Sequence, residues 1–303
     1  MPSTLRSSDY TTIQRGVAVV GSTTIDRNVI GRAAYLKIGG VTTYAGLTYR
    51  RHGLPTWVVS RVARAETWIL ERLTATGIRV SESPAESTTR FVNRVHAGRR
   101  RQDVTSIAPS VNYPQIAAVE PQVDCIHLGP LHPKDIDPPV FVRLRESRAA
   151  VVLDVQGLVR KISGSRVVAA VSEHLDAALS SAFLVKSDED ELLLILDIFG
   201  TRVEDLMTRF DIAEWVVTSG FHGGTIYSKN AGVYRYSSEA VSPVVDSTGA
   251  GDVFLAAYAV SRFRDRETVA EAGRYAANLA ASHVAGRYLP DVLAVPRETV
   301  ADR

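Results

Sequence analysis

The feature that most constrains this chain is a repeated order: a short, continuously apolar run, then a helical pattern. Gly16 to Gly21 reads as a buried strand, and Thr42 to His52 as a helix stopped by Gly53 and Pro55. Thr56 to Val62 is a second strand, and Glu66 to Thr76 a helix ending at Gly77. Val123 to Leu128, Ala150 to Val155, Ala182 to Lys186 and Trp215 to Thr218 are further apolar, β-branched strands. Strands without a polar face are covered on both sides, which is the condition of a parallel sheet. Alternation with helices and right-handed crossovers then predicts a doubly wound α/β fold.

Composition narrows the class further. The chain has 303 residues, 45% hydrophobic and 22% charged, so a disordered chain, a collagen and a coiled coil are excluded. The one cysteine, Cys125, rules out an internal disulfide framework and a multi-cysteine zinc module, and points to a reducing, cytoplasmic setting. A net charge of +2 gives no reason to expect nucleic acid, and no apolar run approaches a membrane span. The polar residues Ser3, Thr4, Arg6, Ser7, Ser8 and Asp9 lack the apolar core of a secretory signal, and residues 1–14 are expected to form a disordered tail.

Two stretches break the rhythm. Ile30 to Ile38 lies between the first strand and the first helix. Thr88 to Thr105 reads as two strands about a turn at Ala97 and Gly98, with Phe91, Asn93 and Val95 alternating against Val92, Arg94 and His96. The expectation is one domain over 1–303, with a small β lid inserted at about 28–40 and 86–106.

The strongest chemical signal is Val244-Val245-Asp246-Ser247-Thr248-Gly249-Ala250-Gly251-Asp252. It reads as a strand, a Gly-rich turn and a helix from about Ala250 to Arg264. Unpaired N–H groups at a helix start carry partial positive charge and suit a phosphate or developing anion. Asp252 in the first turn can take a proton from a hydroxyl held at the same place. Taken alone, Gly-x-Gly-Asp serves equally as a turn with a capping carboxylate.

The full string resembles the Asp-Thr-x-Gly-Ala-Gly-Asp signature of the ribokinase family, the PfkB carbohydrate kinases, departing only at Ser247. The resemblance implies Asp252 as catalytic base, with Gly249, Ala250 and Gly251 as the anion hole and Thr248 beside the donor. It implies that Asp246 helps bind a monovalent cation such as K⁺. Along the chain, Val17 to Gly21 with Asp26 resembles the family's first strand and its acidic substrate ligand. Gly39-Gly40 followed by Thr43 is similar to its di-glycine hinge, although Tyr44 stands where an Asn is usual. Lys186-Ser187-Asp188-Glu189-Asp190 falls where members carry Asn-x-x-Glu, which implies ATP contact at Lys186 and Ser187 and Mg²⁺ held through water by Asp190. Thr218, Gly220 and Gly223 resemble the Thr-x-Gly-x-x-Gly that borders the nucleotide, and Asn278 an adenine-pocket Asn.

Two features resemble the short-lid members that include myo-inositol kinases. These are Gln156 and Arg160 after a central strand, and Phe91, Asn93 and Gln102 on the lid. Acidic, amide and guanidinium groups together offer donors and acceptors to a polyhydroxylated ring. At Arg99 to Arg101 a solvated hairpin tip is expected. The resemblance therefore implies an ATP- and Mg²⁺-dependent kinase of a small sugar or cyclitol, with a possible homodimer through the lid edge. A nucleoside kinase of the same fold, a non-catalytic sugar or nucleotide sensor and a Rossmann oxidoreductase are the alternatives. The last is disfavoured because Gly21 opens no Gly-x-Gly-x-x-Gly.

Overall fold

The structure is a computed structural model that describes residues 12–30, 33–81, 83–96, 99–238 and 244–289. Among them, a nine-stranded core sheet carries seven parallel strands, from Glu214–Thr218 at one end to Arg79–Ser81 at the other. The antiparallel pair Gly224–Ser228 and Gly232–Tyr236 extends it beyond Glu214–Thr218. Val17–Val20 sits centrally, between Cys125–Leu128 and Thr56–Val59. Its side chains alternate between the two sides of the sheet. Ala18 and Val20 enter one buried cluster, and Val17 and Val19 the other. Both faces are thus covered, which is why this strand has no polar residue.

The second face is closed by three helices: Val41–Arg51, Ala250–Ala259 and Val269–Val284. Ala250–Ala259 is buried from Val253 through Ala259, so its first turn is held rigidly against the sheet. It continues as a π-helical turn over Val260–Arg264. The strand expected before it is not found: residues 244–247 take no regular secondary structure. Val245 N–H instead bonds Val284 O at 2.9 Å, tying the turn to the last helix.

A six-stranded lid sheet covers one end of the core. Its order is Arg160–Ser163, Arg166–Ala169, Arg99–Ser106, Thr89–His96, Thr24–Ile30 and Ala33–Gly39. The lid therefore draws on three stretches of chain, not two. The third, Arg160–Ala169, is a hairpin about Ser163 to Arg166, and its alternation Lys161, Ile162, Ser163 is too short to stand out from a loop. The first lid strand also begins at Thr24, ahead of the expected insertion. The turn expected at Ala97 and Gly98 lies outside the described residues, as do residues 1–11. The expected tail is too long at its inner end: Ile13 is buried and its N–H bonds Phe263 O at 3.1 Å. No helix among the described residues is long and apolar enough to cross a membrane.

Candidate active site

The cavity lies at the carboxyl ends of the parallel strands, where open α/β sheets bind ligands. It measures about 260 Å³ between the core sheet, the lid sheet and the start of helix Ala250–Ala259. Gly249 caps that helix at φ 81°, a left-handed conformation that favours glycine. A Cβ on Gly249 would sit 2.3 Å from the Tyr44 ring, so space as well as conformation demands glycine. Tyr44, at the position where Asn is usual, is thus the platform under the turn, and it also lines the cavity. Thr248 O lies 2.9 Å from His283 Nε2. A carbonyl oxygen only accepts, so that imidazole nitrogen carries its proton.

Beneath the turn lies a buried charge cluster. Asp154 ends one parallel strand and is the register partner of Lys186 on the next. Lys186 Nζ donates to Asp154 Oδ2 at 2.8 Å, with both side chains almost fully buried. A Cβ on Gly251 would sit 3.1 Å from Lys186 Nζ, so the ammonium lies directly below the anion turn. Burial favours loss of the Lys186 proton, but Asp154 and Glu191 outweigh it and raise the amine above its usual range. The Asp252 carboxyl is pushed up to about 7, first by burial and then by Asp154 and Asp26, with Lys186 and Arg160 pulling the other way. A base poised near neutrality suits proton transfer at physiological pH.

The lid supplies the opposite wall. Asp26 faces the cavity from Thr24–Ile30 and accepts from Thr24 Oγ1 at 2.8 Å. Its carboxylate passes so close to Gly39 that a Cβ there would sit 2.4 Å from Oδ2. Next to it in register is Phe91, then Asn28 beside Asn93, which itself pairs with Gln102. A polar ladder crosses these strands: Asn93 donates to Asn28 at 2.9 Å, Gln102 to Asn93 at 3.0 Å, and Arg160 to Gln102 at 3.3 Å. Phe91, Gln102, Gln156 and Arg160 line the cavity, as does Gly40. Asn93 is buried behind Gln102 and orients it without lining the cavity. Thr43 is likewise buried, donating to Gly39 O at 2.8 Å.

Across from the lid, Thr218, Gly220, Lys186, Thr248 and the turn Gly249 to Gly251 line the cavity, with Asp252 beside them. Four residues expected at the ATP or Mg²⁺ site lie outside this lining. Ser187 lies under the floor, where its Oγ accepts from Trp215 Nε1 at 3.0 Å. Gly223 shapes a turn whose backbone closes on Tyr236 O. Asn278 is exposed on its helix and does not line the cavity. Asp190 is exposed as well, whereas Glu191, one residue on, is buried. Successive helical residues diverge by about 100°, so Glu191 is buried while Asp190 stays exposed, although both line a second cavity with Gln102 and Arg160. Glu191 also fills the third position of a capping box with Asp188, its Oε2 accepting from Asp188 N–H at 2.9 Å.

Mg²⁺ fits this geometry through Glu191 rather than Asp190. Glu191 Oε1 is buried without a hydrogen-bond partner, 3.7 Å from Arg160 Nη2, and Asp188 reaches the cavity rim. No group of three or more metal-ligating side chains occurs among the described residues. An ion held by water and substrate phosphates, with one or two carboxylates, needs none. The K⁺ expectation at Asp246 does not fit. Asp246 Oδ2 accepts from Lys37 Nζ at 2.8 Å, and Oδ1 from Thr248 N–H at 2.9 Å.

Asp154, Asp188, Glu191 and Tyr44 are among the site residues that sequence reasoning left without a role. Asp154 was visible as a carboxylate ending an apolar strand, but its lysine partner follows only from strand register.

A profile of the pfkB family carbohydrate kinases matches residues 17–289. No curated protein matches the chain. Among solved structures, it is similar to a pyrophosphate-dependent kinase in the ribokinase family complexed with a pyrophosphate analog and myo-inositol, at 20% identity and TM-score 0.77, covering 88% of this chain and 94% of that one. It is also similar to the nucleoside kinase of Methanocaldococcus jannaschii, at 15% identity and TM-score 0.72, covering 93% and 96%. A third is the ribokinase of Arabidopsis thaliana complexed with ribose and ATP, at 19% and 0.70, covering 92% and 95%. At these identities the likeness establishes a ribokinase-like α/β fold. The anion turn, the charge cluster and both sheets all fall inside the matched span, and the chain belongs to the pfkB family of carbohydrate kinases.

Proposed function

We propose that the chain transfers a phosphoryl group from ATP to a hydroxyl of a small polyol, a sugar or a cyclitol such as myo-inositol. The observation that carries this reading is Asp252, a carboxylate poised near 7 between the Gly249 to Gly251 turn and a lid wall of acidic and amide groups. The acceptor hydroxyl lies against Asp252, which takes its proton. Backbone N–H groups of the turn hold the charge of the transferring group, and Lys186 adds positive charge below them. Mg²⁺, when bound near Glu191 and Asp188, neutralises charge on the donor phosphates. Asp26, Gln102, Gln156 and Arg160 orient the acceptor. Most of the rate then comes from positioning and electrostatics. The lid's edge strands, Ala33–Gly39 and Arg160–Ser163, are where a second copy would pair.

The lid wall supports a polyol acceptor, because Asp26, Gln102, Gln156 and Arg160 offer donors and acceptors to several hydroxyls. The deciding experiment crosses acceptors (myo-inositol, other cyclitols, hexoses, ribose, nucleosides) with ATP and pyrophosphate as donors. Pyrophosphate is included because one similar structure is that of a pyrophosphate-dependent kinase. The phosphorylated acceptor itself must be detected, since the two donors leave different products. Transfer only to nucleosides would replace the polyol reading, and no transfer with any pair would favour a sensor.

Two expectations follow. With Asp252 at about 7, kcat/KM should fall tenfold per pH unit below 7 and level off above it, because only the ionised carboxylate accepts a proton. A flat profile down to pH 5 would remove Asp252 as base. Asp190→Ala should stay within about twofold of wild type, while Glu191→Gln should raise the Mg²⁺ concentration needed for half-maximal rate roughly tenfold or more. The reverse ranking in an Mg²⁺ titration would restore the Asp190 assignment.

A further inference from the structure

Lys37 stands far from the turn in sequence and against it in space. It lies on the lid strand Ala33–Gly39, and its ammonium bonds Asp246 across 209 positions of sequence. Tyr35, two residues earlier and so on the same face, places its hydroxyl 3.4 Å from the same oxygen. Both members of the Lys37–Asp246 pair are mostly buried, at 13% and 16% side-chain exposure. The ammonium also stands 5.5 Å from the centroid of Tyr44, the ring on which Gly249 rests. From Asp246 the tie continues through Thr248 N–H to the turn, whose carbonyl is fixed by His283. Burial alone would raise the Asp246 carboxyl, but Lys37 and then Thr248 N–H hold it below its usual range.

We propose that Lys37 is a positioning residue that serves as the built-in cation of the anion turn, so that no exchangeable monovalent cation is needed there. The inference rests on the phosphotransfer reading for its effect on rate, but not for its effect on the turn. An alkali ion at Asp246 needs a carboxylate oxygen and a place free of other positive charge. Lys37 Nζ, 2.8 Å from Oδ2, removes both. Because the ammonium rides on a lid strand, the turn is held in place only while the lid is seated.

The test compares wild type with Lys37→Met in tetramethylammonium, K⁺ and NH₄⁺ chlorides at equal ionic strength. The first readout is the thermal unfolding midpoint, which needs no turnover. Wild type should be indifferent to the cation. Lys37→Met should melt lower in tetramethylammonium and recover about 2–4 °C, saturably, as K⁺ or NH₄⁺ fills the vacated place. The second readout is phosphoryl transfer. Lys37→Met should lose roughly 10- to 100-fold in tetramethylammonium, mainly in kcat, as expected for a misplaced reacting centre. It should regain at least tenfold with K⁺ or NH₄⁺. Saturable K⁺ activation or stabilisation of wild type overturns the proposal, and this arm holds even if the variant does not fold. A variant indifferent to every cation overturns it too. Recovery of the midpoint without recovery of a measurable turnover reduces Lys37 to a structural tie and also overturns it. If no donor and acceptor pair reacts, the kinase reading fails while the midpoint arm still decides.

Discussion

Asp252→Asn is expected to lower kcat/KM by roughly 10²–10⁴-fold, the share that general-base catalysis contributes. The fold should survive, because Asn matches the shape and the helix behind it is buried from Val253 onward. Stability should rise rather than fall at high pH. The Asp252 carboxyl stands at about 7 in the folded chain, against an unfolded value near 4. Between those values the native state binds more protons, so stability declines as pH rises through that window. Above 7 the cost is complete, and Asn removes it. After discounting for water in the cavity, a gain of roughly 1–3 kcal/mol at pH 8 and almost none at pH 4 is expected. Denaturant titrations at the two pH values measure it. Near wild-type turnover would take Asp252 out of the mechanism, and equal stability at both pH values would deny the raised carboxyl.

Lys186→Met should have the largest effect on stability. It removes the ammonium that Asp154 accepts from at 2.8 Å and that also holds Glu191 and Asp252 in a shared field. Breaking one partner of a buried pair costs about 3–5 kcal/mol, because the remaining charge is left without compensation. Phosphoryl transfer should fall at least 10²-fold, since a cation below the anion turn is lost. The Asp252 carboxyl should climb further, moving the acid limb of the pH profile upward. Adding Asp154→Asn should recover much of the stability and little of the rate. A single variant within 1 kcal/mol of wild type by denaturant unfolding would show that the cluster is not coupled as described.

Much of this architecture was legible because it rests on local pattern. The strands Val17–Val20, Cys125–Leu128 and Leu184–Asp188 fall on the apolar runs Gly16 to Gly21, Val123 to Leu128 and Ala182 to Lys186, and the glycines around Ala250 mark a turn opening a helix. What escaped depends on rotation or on distant pairing. Asp190 and Glu191 differ by one step around a helix, and a motif placed one residue out selects the exposed carboxylate in place of the buried one. Asn278 stands exposed on its helix, outside the cavity lining. The Asp154–Lys186 pair follows from the register of two parallel strands, and Lys37–Asp246 from the seating of the lid. No window of sequence contains either pair.

The three-part origin of the lid sheet bears on how the chain reaches its native state. Thr24–Ile30 pairs in parallel with Thr89–His96, and Arg99–Ser106 meets the hairpin that begins at Arg160. Each of these pairings closes a long loop, whose entropy is spent before any contact rewards it. The core strands between those segments must therefore dock first, and the lid completes late. A partly refolded molecule would carry the Asp154–Lys186 pair while still lacking the lid strands that bring Asp26 and Lys37 to the cavity and to the Gly249 turn. Amide exchange during refolding should protect Cys125–Leu128 and Ala150–Asp154 before Thr89–His96.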